Sequence, residues 1–173
     1  MDLRIIKTKK AIKEAFLELR AKESLEKIKI KDLCQLALIN KTTFYKHYKD
    51  IFDLSDQLEN ETLKSVIEAF ADKDKILSDP RAFMEGIPLA FKSQDHELSI
   101  LFDGRSETLT NKFEKILRDA YSTEDATVSD DVRNTFLIGG CVHTFQVLSK
   151  EKNYQLKEIL DCLVTVLSSF KAL

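Results

Sequence analysis

The chain has 173 residues, of which 43% are hydrophobic and 32% are charged, and its formal net charge is −2. This balance is typical of a folded globular protein and excludes an intrinsically disordered one. No apolar run approaches the roughly 20 residues that span a bilayer, and the first ten residues, MDLRIIKTKK, contain no signal-peptide core. We therefore expect a cytoplasmic protein with no membrane partner.

The scarcity of turn-forming residues predicts the fold class. Only four glycines and two prolines are present, which favours an all-α protein with short connections. The three cysteines, Cys34, Cys141 and Cys162, are widely spaced within apolar segments and form no CxxC pair. They are interpreted as buried small side chains in a reducing compartment, not as disulfide or metal ligands.

Charge is distributed unevenly along the chain. Residues 1–50 contain 13 lysines and arginines against 7 acids, whereas residues 51–173 contain 14 against 22. The first part therefore carries +6 and the second −8. This asymmetry favours a basic N-terminal domain that meets a polyanion.

The N-terminal region predicts three helices. Apolar residues recur at helical spacing from residue 4 to about 21, and a second short helix is expected over about 30–37. After a turn, Asn40 is a plausible N-cap for a third helix over about 41–48, with Phe44 and Tyr48 on one face. Two helices separated by three or four residues match the helix-turn-helix pattern, whose second helix enters the major groove of DNA.

Within the third helix, small polar residues are expected to meet bases. Thr42 and Thr43 can offer a hydroxyl to a base edge or a methyl to thymine. Tyr45, Lys46 and the residues after them could reach flanking phosphates, which supply affinity and position.

The remaining chain predicts a helical C-terminal domain. A long helix is expected over about 51–71, and a polar break precedes Pro80. The further predicted helices span about 81–91, 93–103, 107–121, 130–149 and 155–171. The last of these has a continuous apolar stripe.

At this point the N-terminal third resembles the TetR family of bacterial transcriptional regulators. The match lies in KTKKAIKEAFLELRAKESLEKIKIKDLCQLALINKTTFYKHYKDIFDL, and it is most specific at TTFYKHY. The resemblance implies a homodimer that binds double-stranded operator DNA through residues 1–50. Residues 51–173 would dimerise and bind a small apolar effector, and the simplest activity is repression.

The resemblance implies that residues at the start of the third helix contact bases and that the residues after them contact the DNA backbone. The residues expected to contact DNA are Lys29, Lys41, Thr42, Thr43, Tyr45, Lys46, His47 and Lys49. Three positions depart from the family's pattern: Leu38 replaces the usual turn glycine, Lys29 replaces a capping threonine, and Ile51 replaces a lysine. If the backbone at Leu38 is left-handed, it costs on the order of 1–2 kcal/mol.

The final two predicted helices are expected to form a dimer through a four-helix bundle, because so wide an apolar stripe must be covered. Packing within one subunit is the alternative. The residues assigned to the interface are Val132, Phe136, Gly139, Gly140, Leu156, Ile159, Leu160, Leu163 and Leu167. The expected effector pocket uses aromatic residues with one polar group: Phe83, Phe91, Phe102, Phe113, Phe136, Phe145 and His143. Phenylalanines at helical spacing are also simply core residues.

Catalytic and metal-binding patterns are absent from the sequence. It contains no P-loop, GxSxG or HExxH motif, and its three histidines lie in separate segments. We therefore expect no enzyme activity, no cofactor and no metal. Two readings stay open: a DNA-binding regulator, and an interaction module or coactivator that acts mainly through a protein partner.

Overall fold

The computed structural model describes residues 3–122, 125–148 and 153–170. These residues form nine α-helices and no strand, so the predicted all-α class is confirmed. The helices are α1 Leu3–Arg20, α2 Ile30–Leu36, α3 Lys41–Tyr45, α4 Ile51–Ala69, α5 Pro80–Lys92, α6 Asp95–Leu101, α7 Ser106–Tyr121, α8 Val128–Leu148 and α9 Leu156–Ser169.

The predicted helices agree with the observed ones to within a few residues. The segment after α1, where the helical pattern fails, contains a single 3-10 turn at Leu25–Lys27. The third helix is shorter than predicted, because α3 ends at Tyr45 and the chain continues as a turn. The predicted helix ends at residues 149 and 171 lie outside the described residues.

The chain divides into two compact units. The N-terminal unit comprises the chain up to Thr62 together with His96–Gly104, and the C-terminal unit comprises Leu63–Asp95 and the chain from Arg105 onward. The sequence suggested a division after residue 50. The contacts instead place the first part of α4, and most of α6, in the N-terminal unit.

The N-terminal unit is built around buried side chains from its first four helices. Phe16, Leu33, Phe44 and Leu54 are completely buried. Helix α1 packs against α2, and α2 packs against α3. Burial of this kind contributes roughly 1.5–3 kcal/mol for each large apolar side chain, which fixes the short helices that could not form alone.

Polar contacts hold α6 in the N-terminal unit. The Glu97 carboxylate accepts from Lys13 Nζ at 2.7 Å and from the Thr62 hydroxyl at 3.0 Å. At the end of this segment, the guanidinium of the buried Arg20 donates to the Asp103 carbonyl at 3.0 Å. Residues 96–104 are therefore bonded to both α1 and α4.

The C-terminal unit packs its helices in pairs, α7 against α8, α5 against α9 and α8 against α9. Side-chain caps define where these helices begin. Asp79 accepts the Ala82 N–H at the start of α5, and Pro80 occupies the first turn, where its missing N–H costs nothing. Glu158 accepts the Gln155 N–H at the start of α9. Among the described helices, none combines the length and hydropathy that a membrane crossing requires.

Candidate functional site

The turn between α2 and α3 is a complete C-terminal capping motif with a leucine in the glycine position. The Leu38 N–H donates to the Gln35 carbonyl at 3.3 Å, and the Ile39 N–H donates to the Cys34 carbonyl at 3.0 Å. This pair of bonds defines a Schellman motif. The motif requires a left-handed conformation at the first residue after the helix C-cap, which here is Leu38. Leu38 has φ 55°, and its side chain is 92% exposed. The condition left open by the sequence is therefore met: the backbone at Leu38 is left-handed and strained.

Helix α3 begins at the N-cap that the sequence predicted. The Asn40 side-chain oxygen accepts the Thr43 backbone N–H at 2.7 Å and the Thr43 hydroxyl at 2.9 Å. Because its proton is used inside the helix, the Thr43 hydroxyl is left as an acceptor. Thr43 is also half-buried, whereas Thr42 is exposed. Thr42 is therefore the freer of the two threonines.

One face of the α3 segment is core, as its spacing predicted. Phe44 is completely buried and Tyr48 is 4% exposed. Their rings lie 5.7 Å apart. Burial raises the pKa of Tyr48 to about 12, and the nearby Glu61 and Asp53 carboxylates add to the rise. Both aromatic residues hold α3 in place and are unavailable to a ligand.

The opposite face of this segment presents basic and polar side chains. Lys41, Thr42 and Lys46 are exposed, and the Tyr45 ring is 55% exposed while it packs edge-on against Phe44. Lys29, at the N-cap of α2, is also exposed, but its side chain makes no capping bond.

The lysines of this face do not form ion pairs. Within the described part of the chain, no acidic group forms an ion pair with Lys29, Lys41, Lys46 or Lys49. His47 is half-buried, with its ring 6.3 Å from that of Tyr48.

The corner between the α3 segment and α4 is fixed by two acids. Asp50 accepts the Asp53 N–H, and the Asp53 carboxylate accepts the Lys49 N–H, each at 2.8 Å. The bond from the Lys49 N–H, and after it the bond from the Gln57 amide, hold the pKa of Asp53 below its ordinary value. Ile51, where the family pattern has lysine, is 5% exposed and belongs to the core. Lys49 is therefore the exposed cation of this corner.

A second candidate site is a cavity of about 370 Å³ inside the C-terminal unit. Its lining includes four of the residues that the sequence assigned to an effector pocket, Phe83, Phe91, Phe113 and Phe145. The rings of Phe91 and Phe113 meet edge-to-face at 4.8 Å. The volume lies within the range of small-molecule sites, roughly 300–1,000 Å³.

The remaining predicted pocket residues lie elsewhere. Phe102 belongs to the N-terminal unit and is buried there. Phe136 is 65% exposed on α8, and His143 is exposed on the same helix. These three assignments are corrected: Phe102 is a core residue of the other unit, and on α8 the residues that line the cavity are Ile138 and Cys141.

An exposed apolar face runs along α8 and α9, and we call it the outer face. On α8 it contains Val132 at 64% and Phe136 at 65% exposure. Val166 on α9 is 53% exposed, and the Phe136 ring lies 6.0 Å from that of Phe170. At Gly140 an added Cβ would meet no atom of this chain within 4 Å. The packing of the subunit therefore does not explain this glycine.

Several residues assigned to the dimer interface serve the subunit itself. Ile159, Leu163 and Leu167 are between 1% and 6% exposed, so they are core residues of the subunit, and this assignment is corrected. Gly139 faces α7 of the same subunit, where an added Cβ would make an ordinary contact of 3.4 Å with the Glu114 carboxylate. Leu156 and Leu160 line the cavity.

In the ranges that the structure describes, no group of three His, Cys, Asp or Glu residues is placed to hold a metal ion. Comparison of the chain with protein-family models, with curated proteins and with solved structures finds no match.

Proposed function

We propose that the protein is a cytoplasmic, dimeric, DNA-binding transcriptional regulator, and that α2 and α3 form its helix-turn-helix. The observation that carries the proposal is the division of the α3 segment. Phe44 and Tyr48 anchor it in the core, while Lys41, Thr42 and Lys46 stand on its free side without an acidic partner. Exposed lysines without an ion-pair partner, grouped on one side of a short helix beside a fixed turn, are the side chains that bind DNA phosphates.

The early residues of α3 are suited to base recognition. Thr42 is exposed one residue after the helix begins, where helix-turn-helix proteins present side chains to base edges. Thr43 is held by Asn40, so it offers a methyl group and a hydroxyl acceptor. Lysines 29, 41, 46 and 49 would contact phosphates on either side.

Dimerisation is proposed through the outer face of α8 and α9. Val132 and Phe136 leave apolar area in water, and Gly140 gives a partner helix room to approach closely. A two-fold axis along this face would pair each α8 and α9 with its copy as a four-helix bundle. Two helix-turn-helix elements could then reach successive major grooves, about 34–36 Å apart.

Repression by promoter occlusion is the simplest activity for such a dimer. A small molecule in the cavity of the C-terminal unit would release it by favouring a conformation in which the two α3 helices no longer match the groove spacing.

The direct test is binding to the DNA upstream of the protein's own coding region, repeated over a range of salt concentrations. Four uncompensated lysines per subunit give up to eight phosphate contacts per dimer, so the logarithm of the affinity should fall with log[salt] with a slope of up to about −7. Specific retardation with this steep dependence supports the proposal. Absence of specific retardation at low salt contradicts it.

A protein partner is the second candidate, and Leu38 is the observation that favours it. Leu38 is 92% exposed at a left-handed position where glycine would remove the strain, so within the subunit its side chain brings a conformational cost and no buried area. An interaction module of this kind would bind upstream DNA no better than unrelated DNA. Replacement of Leu38 by Ser would weaken it, while a DNA-binding regulator would keep its operator affinity.

A further inference from the structure

We propose that the cavity of the C-terminal unit binds a neutral, planar aromatic compound of about 15 non-hydrogen atoms that carries one hydrogen-bond donor. The regulatory consequence of this binding rests on the proposed function, but the binding itself does not. The inference is drawn from the charge, the rings, the polar atoms and the volume of the cavity.

The lining excludes charged ligands. None of the residues that line the cavity is Lys, Arg, His, Asp or Glu. Burial of an ion without a partner costs several kcal/mol or more, so a carboxylate or an ammonium group in the cavity would be expelled. The Cys141 thiol adds no charge, since burial raises its pKa to about 11 and keeps it protonated at neutral pH.

The rings of the lining select a flat aromatic ligand. Four phenylalanines, at positions 83, 91, 113 and 145, line one cavity. The Phe91 and Phe113 rings already meet edge-to-face, so a flat ligand would find both ring faces and ring edges. Such pairs contribute about 0.5–1.5 kcal/mol beyond the burial of area.

The polar atoms of the lining are acceptors. The Thr110 hydroxyl donates its proton to the Ser106 carbonyl at 2.9 Å, which leaves its oxygen free to accept. Pro88 lies within α5 and has no N–H, so it cannot give the Met84 carbonyl its helical hydrogen bond. Thr110, Met84 and Pro88 all line the cavity. A ligand with a hydroxyl or amine N–H therefore has an acceptor to meet.

The depth of the lining residues gives the cavity a floor and a mouth. Met84, Leu117 and Ile138 are between 1% and 2% exposed and form the floor. Phe145 and Leu156, at 38% and 50%, lie at the mouth. A cavity of about 150 Å³ holds benzene, so about 370 Å³ corresponds to about 15 carbon-sized atoms.

Two dyes with one skeleton test the proposal. N-phenyl-1-naphthylamine is neutral, aromatic and carries a single N–H, whereas 8-anilinonaphthalene-1-sulfonate adds only an anionic group. Both fluoresce more strongly in apolar surroundings. We expect the neutral dye to bind the full-length protein at one molecule per subunit, and at least tenfold more tightly than the sulfonate. Equal or tighter binding of the sulfonate would overturn the inference.

Two substitutions locate the bound dye. Cys141 lines the cavity, so Cys141→Phe fills part of its volume and should abolish binding of the neutral dye, whereas Phe136→Ser on the outer face should leave it intact. The reverse result would show that the dye covers the outer face. Circular dichroism establishes that each variant is folded.

A third substitution tests the hydrogen bond and stands if Cys141→Phe fails to fold. Thr110→Val keeps the shape of the side chain but removes the oxygen. It should weaken the naphthylamine several-fold, while 1-phenylnaphthalene, which has no N–H, should compete for the site equally well in both proteins. A loss of both ligands, or of neither, contradicts the role of Thr110 as acceptor.

The binding test and the DNA test fail separately. Dye binding is measured without DNA, so a protein that binds the dye but no operator would retain this inference and lose the proposed function. A protein that binds its operator but shows no saturable dye binding would retain the proposed function and lose this inference. If both are present, saturating naphthylamine should weaken operator binding by about 5–150-fold.

Discussion

Replacement of Leu38 by glycine should stabilise the protein, although glycine usually destabilises a helical region. Leu38 holds φ 55° between α2 and α3, and its side chain is 92% exposed, so the substitution removes strain and almost no buried area. The left-handed conformation costs an L-residue about 1–2 kcal/mol. Glycine also lowers the free energy of unfolding by about 0.4–1 kcal/mol, because it increases the conformational entropy of the unfolded chain. The net gain in the free energy of unfolding should be about 1 kcal/mol.

Thermal or urea unfolding followed by circular dichroism measures this gain. For a chain of this size, about 1 kcal/mol corresponds to an increase in Tm of about 2–4 °C. Leu38→Ala is the matched control, because it removes the same exposed side chain but keeps the Cβ that clashes, and its stability should stay near that of the wild type. Lys64→Gly, at an exposed position in the interior of α4, should instead cost about 1 kcal/mol. Equal effects of Gly and Ala at position 38 would refute the assignment of strain to the backbone.

Three further outcomes are expected. Lys46→Ala should weaken binding to all DNA sequences alike. It should also reduce the magnitude of the salt slope by about 1.8 per dimer, which a salt titration of operator affinity measures. A loss that depends on the DNA sequence would contradict a phosphate contact. Asp53→Asn should destabilise the protein at pH 7. Because the pKa of Asp53 is lowered on folding, its contribution is present above its unfolded pKa of about 3.9 and is lost as pH falls through the lower folded value. The difference in urea midpoint between the wild type and the Asp53→Asn variant should therefore vanish in acid, and a difference constant with pH would exclude the charge as its cause. Phe136→Glu should convert the proposed dimer to a folded monomer, as measured by analytical ultracentrifugation. The control is Leu89→Glu, at a site on α5 that is 71% exposed, and it should leave the dimer intact. If both variants remain dimers, the interface lies elsewhere.

Local features of the fold could be predicted from the sequence because neighbouring residues determine them. Asn40 is recognisable as a cap from the helix that follows it, and Phe44 and Tyr48 share a face through their spacing alone. The strain at Leu38 follows from a turn whose backbone bonds lie within six residues. These features depend on chain geometry at short range, and the structure confirms each of them.

Features that depend on distant contacts could not be predicted in the same way. Helix α8 is apolar on two sides, so its sequence did not reveal that Ile138 faces the cavity while Phe136 faces solvent. The bond between Lys13 and Glu97 joins residues far apart in sequence, and neither is distinctive by itself. The stripe of α9 was continuous, but only the packing of α5 and α8 against that helix shows that Leu163 is core.

The membership of residues 96–104 in the N-terminal unit limits how the chain can be divided. A fragment that stops after Thr62 would keep the first three helices and the start of the fourth, but it would lack Glu97, the partner of Lys13 and Thr62. It would also lack the Asp103 carbonyl, which accepts a hydrogen bond from the buried guanidinium of Arg20. The unit that we propose to bind DNA is therefore not one continuous segment of the chain. It becomes complete only after the ribosome has synthesised the polypeptide through Gly104, well beyond the end of α3.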